Sequence, residues 1–141
     1  MGNEMKISKF ITPTRISCIL FLVFFSGILS AKGLNASELK ALINDKTVES
    51  KSASGYAAKT YYSPDGTFRR SKRGKIKKGT WSINNDGELC KKVKGESTAV
   101  CRKIVKSSDV WKVYKVFGKI TMQWKHKSTW LKILNGNPNK L

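Results

Sequence analysis

Acidic residues are scarce in this sequence: nine Asp and Glu stand against 28 Lys and Arg, with a single histidine, in 141 residues. That shortage excludes most acid–base catalysis. Beyond residue 33, Asp65 and Asp86 belong to turns, Glu96 to a hairpin tip and Glu38 to the first turn of a helix. Too few carboxylates are left for a paired site. His126 has no Gly-x-Ser-x-Gly elbow or comparable partner, and reads as a strand-end surface residue. Cysteine is equally sparse, three in all, and with one histidine it makes no metal ligand set. There is no Gly-rich phosphate loop. No enzyme, no metal and no cofactor are expected.

Long apolar runs are lacking too. The run Ile16 to Ser30 is fifteen residues without a charge, short of the roughly 20 that cross a bilayer. Lys6, Lys9 and Arg15 precede it, and the small residues of Ala31-Lys32-Gly33 follow it. A basic segment, an apolar core and a small-residue exit make a secretory signal peptide, so residues 1–33 are expected to be a cleaved leader. Its loss leaves one domain, 34–141, with 24 basic and 8 acidic residues and a net charge near +16. A field of that strength draws anionic partners, although a lysine-rich surface can also serve solubility alone. The periplasm or the exterior is the expected compartment. Nucleic acid is not an expected partner there.

What the domain does contain is turn chemistry and aromatics. Asn35 or Ser37 can cap a short helix from Glu38 to Ile43, with Leu39, Leu42 and Ile43 on one face. From Thr47 onward, short strand patterns alternate with turns at spacings of about 8–12 residues. Strands are predicted over 47–52, 56–62, 67–73, 76–83, 88–94, 98–105, 110–116, 119–126 and 129–134. Ser63-Pro64-Asp65-Gly66 and Asn84-Asn85-Asp86-Gly87 are turns. The polar tail Asn135 to Leu141 is expected to fray. Such a meander removes its edges by closing into a small up-and-down barrel, lipocalin-like, or by folding into a two-layer sandwich. The fold class is therefore all-β with one short N-terminal helix.

Cys90 and Cys101 remain after the leader is gone, and an even pair in an exported domain reads as a disulfide. If Gly95-Glu96 is a two-residue loop, Cys90 falls directly opposite Cys101 across an antiparallel pair, with Cα atoms about 5.5 Å apart.

The sharpest functional feature is RRSKRGKIKK, in which Arg69, Arg70, Lys72, Arg73, Lys75, Lys77 and Lys78 are basic. Clustered Lys and Arg bind phosphate or sulfate groups through charge. The run occupies both strand parities, so these side chains cannot all share one face. The competing reading is a solvated hairpin whose charges discourage edge pairing.

Residues Asn44 to Cys101 resemble an uncharacterised family of small exported proteins from Gram-negative bacteria. The likeness lies in Thr47-Val48, Tyr61-Tyr62 before Pro64-Asp65-Gly66, Gly79-x-Trp81, Asp86-Gly87 before Leu89-Cys90, and Cys101. The resemblance implies an exported β-rich domain and supplies no catalytic residues. The basic run departs from the family pattern. The expected function is a non-catalytic envelope protein that docks through this run on anionic lipid head groups, lipopolysaccharide or wall polymer. The alternatives are a carrier holding a small apolar ligand against Trp81, Trp111 and Trp124, or an inhibitor of an acidic periplasmic enzyme.

Overall fold

The computed structural model of the chain describes residues 33–117 and 123–141. Apart from Gly33, the expected leader lies outside the described residues, as do Ile120, Met122 and the side chain of Trp124. Helix α1, Ala36–Ile43, opens with a full capping box. Asn35 Oδ1 accepts from the Glu38 amide at 2.8 Å, and Glu38 Oε2 accepts from the Asn35 amide at 2.9 Å. Eight strands follow: β1 Lys46–Ser52, β2 Ala57–Tyr62, β3 Thr67–Lys72, β4 Lys75–Ile83, β5 Glu88–Val93, β6 Val100–Ser107, β7 Val110–Phe117 and β8 Gln123–Asn135. Each pairs antiparallel with the next, and β8 returns to β1, so the sheet is a closed barrel. The barrel replaces the sandwich alternative.

Among the described residues eight strands stand where nine were expected: 119–122 lie outside them, and the described part of 119–126 is continuous with 129–134. From Gln123 to Asn135 the chain is one strand. Two bulges mislead the pattern. Val113 faces Ser128 and Tyr114 faces His126, leaving Lys127 over; Glu49 faces Lys132 and Ser50 faces Trp130, leaving Leu131 over. Each extra residue flips the alternation without ending the ladder.

Closure gives every strand one inward face. At the end where β1 begins, Leu39 and Ile43 of α1 are fully buried against Val48, Trp81 and Ile104. Gly87 makes that approach possible. Its φ is +68°, and a Cβ there would stand 2.7 Å from the Leu34 carbonyl oxygen. The tail that was expected to fray is instead tied to the same end: the Gly136 amide donates to Asp45 O at 2.8 Å, and Thr47 Oγ1 donates to Gly136 O at 2.7 Å. Tyr62 occupies the middle of the interior, edge-on to Trp81 at 5.8 Å between centroids and tilted against Trp130 at 6.3 Å.

Cys90 and Cys101 are opposed on β5 and β6 and form a disulfide. The β5–β6 connection is longer than the two-residue loop expected, since β5 ends at Val93 and β6 starts at Val100. The register is nevertheless the one that brings the cysteines face to face. Their Cα atoms are 3.9 Å apart, closer than the hydrogen-bonded spacing of about 5.5 Å. Replacing both cysteines by alanine is expected to lower stability by about 2–3 kcal/mol, the loop-entropy value for a bridge of this span. Urea denaturation at constant slope checks it. An unchanged midpoint contradicts a structural role for the bridge.

Candidate functional site

The β3–β4 hairpin lies at the end of the barrel opposite α1 and carries the whole basic run. Its turn is Arg73-Gly74, with φ of +52° and +71°, the two left-handed residues of the hairpin turn that matches strand twist. Strand alternation then sorts the cations. Thr60, Arg70 and Lys77 lie side by side in the ladder on the inward face, and Lys72 joins them on the lumen wall. Arg69 and Lys78 pair with each other on the outer wall. Arg73 stacks its guanidinium 3.3 Å above the Tyr56 ring, with Lys72 Nζ 5.4 Å from the same ring. Lys75 is exposed beside the turn. The seven residues proposed from sequence thus form no single patch, and both parities of the run are accounted for.

The inward set belongs to a larger site. A lumen of about 350 Å³ opens at this end, with Tyr62, Phe68, Leu89, Val113 and Trp130 as its floor. Lys91 from β5, Arg102 from β6 and Lys127 from β8 complete a cationic wall with Arg70, Lys72 and Lys77. Hydroxyls of Ser50, Ser52, Thr60 and Ser128 line the remainder. One carboxylate, Glu96, borders the cavity. Among the described residues the one ion pair joins Lys59 to Glu49 at 2.9 Å, and no cation of this wall is salt-bridged.

Unrelieved charge is costly in such a place. Burial, then the neighbouring charges of Arg70 and Arg102, push the Lys91 ammonium down to about 7. Its Nζ donates to the Tyr62 hydroxyl at 3.3 Å and lies 5.7 Å from the Phe68 ring centroid. Burial pushes the Tyr62 phenol up despite the nearby Arg70, so it stays protonated. Arg102 is lowered by burial, against the opposing pull of Glu88, and donates through Nη1 to Cys101 O at 2.8 Å. Lys127 is lowered by desolvation and by Lys125, Arg102 and Lys115.

Of the tryptophans proposed to hold an apolar ligand, Trp81 is buried toward the helix end, with Nε1 donating to Ser63 O at 3.0 Å, and Trp111 packs on the apolar core. Neither lines the lumen; Trp130 does. His126 is exposed and shares a 3.1 Å hydrogen bond with Thr129 Oγ1. Lys91 and Arg102 escaped the sequence reading, although a signal existed. Lys91 alternates with Leu89 and Val93, and Arg102 with Val100 and Ile104, so each is a cation on an otherwise apolar strand face.

A family model described as "Protein of unknown function (DUF995)" matches residues 26–107, more than half of the chain. The chain belongs to that family. The DUF995 match takes in α1 and β1 to β6, and with them Arg70, Lys72, Lys77, Lys91 and Arg102. Strands β7 and β8, which bring Val113, Lys127 and Trp130 to the lumen, lie beyond it. No curated protein matches the chain.

The lowered Lys91 gives a pH test with a defined sign. Unfolded, the amine holds its proton up to about 10.5, whereas folded it releases it near 7. Between those values folding expels a proton, so this group's penalty is complete below 7 and fades as pH climbs to 10.5. Lys91→Met is expected to melt higher than the parent at pH 6.5, by a few degrees, with the gap closing toward pH 10.5. Scanning calorimetry measures both curves. A gap that does not vary with pH contradicts the lowered amine.

Proposed function

We propose that this DUF995 protein is an exported, non-catalytic binding protein that takes a small amphipathic anion into the open end of its barrel. The apolar part of the ligand rests on Tyr62, Phe68 and Trp130, and its acidic group lies among Arg70, Lys91 and Arg102. One observation carries the reading: six cations line a lumen bordered by a single carboxylate. An anion bound there relieves the repulsion and stabilises the folded state by mass action. The cationic wall favours such a ligand over a purely apolar one, because an apolar guest leaves the charges unmatched and removes water from them. The Cys90–Cys101 disulfide suits an oxidising compartment, consistent with a leader over residues 1–33.

A second reading has its own observation. Arg69, Lys78, Lys92 and Lys94 surround a groove on the outer wall between β3, β4 and β5. Docking on an anionic envelope polymer or lipid surface would use these outward residues and leave the lumen untouched.

The two readings separate cleanly with 8-anilinonaphthalene-1-sulfonate, which joins an aromatic body to one sulfonate. Saturable fluorescence enhancement is expected with the parent. Arg70→Gln combined with Arg102→Gln should weaken binding at least about tenfold, the effect of roughly 1.4 kcal/mol. Arg69→Gln combined with Lys78→Gln should leave it unchanged. The reverse pattern, loss with the outward pair alone, overturns the lumen reading in favour of docking.

A further inference from the structure

Among the lumen lysines, Lys91 is the one held by a hydrogen bond to an aromatic hydroxyl, the setting of a reactive amine. Its side chain rises from the middle of β5 between Leu89 and Val93, and its Nζ is held at 3.3 Å by the Tyr62 hydroxyl, over the Phe68 ring. The other charged groups of the lumen are Arg70 and Lys72 from β3, Lys77 from β4, Arg102 from β6 and Lys127 from β8, with Glu96 at the rim. Every near neighbour among them is positive. A half-buried amine set against the Tyr62 and Phe68 rings and flanked by cations is disfavoured in its charged form, which activates a lysine as a nucleophile. The folded value of about 7 agrees with that placement. A lysine that served only as an anion ligand would be better placed on the solvated rim, where Lys72 and Lys77 already are.

We infer that Lys91 is the nucleophile of a covalent subsite, condensing reversibly with the carbonyl group of an anionic aldehyde or 2-oxo acid whose phosphate or carboxylate is held by Arg70 and Arg102. This rests on the lumen's being an anion site. The neutral Nζ attacks the carbonyl carbon, the N–C bond forms, and one N–H proton passes to the carbonyl oxygen to give a carbinolamine. The Tyr62 hydroxyl, already hydrogen-bonded to Nζ, is positioned to relay that proton. The C–O bond then breaks, the hydroxyl leaves as water with one proton taken from solvent, and a cationic imine results. No oxidant or reductant is needed, and hydrolysis reverses the sequence. The apolar floor limits water at the new bond, so the imine outlives one formed on an exposed lysine.

The test uses the full chain with pyridoxal 5′-phosphate at pH 7.5, followed by borohydride reduction and peptide mass spectrometry. Pyridoxine 5′-phosphate, which has an alcohol where the aldehyde stands, reports anion binding alone. One phosphopyridoxyl group is expected on Lys91, installed at least about tenfold faster than on any surface lysine, which holds its proton up to roughly pH 10.4. Lys91→Arg, which keeps the charge but not the nucleophilic amine, should lose the label, while the parent's binding of pyridoxine 5′-phosphate reports the anion site separately. Arg70→Gln keeps the amine and should slow labelling while weakening pyridoxine 5′-phosphate. Labelling spread over surface lysines, or equal in the parent and Lys91→Arg, overturns the covalent subsite while leaving anion binding intact. A parent that binds neither compound overturns the anion reading, and the subsite falls with it.

Discussion

Closure of the β8–β1 pair is the constraint on which everything else depends. An open meander would let the basic hairpin lie flat against solvent, and its charges would then be surface charges of little consequence. Closing the sheet leaves no free choice. Each strand must send alternate residues inward, and Arg70, Lys72, Lys77, Lys91 and Arg102 go with them. The two ends of the interior are consequently unlike. Leu39 and Ile43 of α1 fill one end, whereas the other is left as a cationic lumen above Tyr62.

Energetically the lumen is the weak point of the fold. Half-buried cations without a salt-bridge partner raise the free energy of the native state, and the lowered Lys91 is that cost expressed as a titration. Natural barrels fill comparable positions with apolar side chains without difficulty. On the proposed reading, the counter-charge for these cations comes from an anion bound in the lumen. The disulfide across β5 and β6 holds Lys91 and Arg102 on neighbouring strands, since Cys90 precedes the one and Cys101 the other. It thus fixes the spacing of the site as well as the stability of the domain.

Much of the fold was legible in the sequence because its determinants are local. The Asp-Gly turns, the Asn35 cap and the spacing of Cys90 and Cys101 each act over a few residues. The nine-strand expectation failed at Lys127 and Leu131 because a bulge is set by the partner strand, which one strand's pattern does not reveal. The site was legible only in part. The run from Arg69 to Lys78 stands out by density, but which of its members share a surface depends on the barrel. Lys91 and Arg102 stand 13 or more residues further along, on other strands, and only closure brings them to Arg70.

The most direct measurement is a two-dimensional amide NMR titration of the protein with inorganic pyrophosphate at constant ionic strength. The account requires saturable shifts concentrated at Thr60, Arg70, Lys91 and Arg102, whose side chains share the lumen. Small, non-saturating shifts centred on Arg69, Lys78, Lys92 and Lys94 would mean that the charge works from the outer wall, and would contradict it.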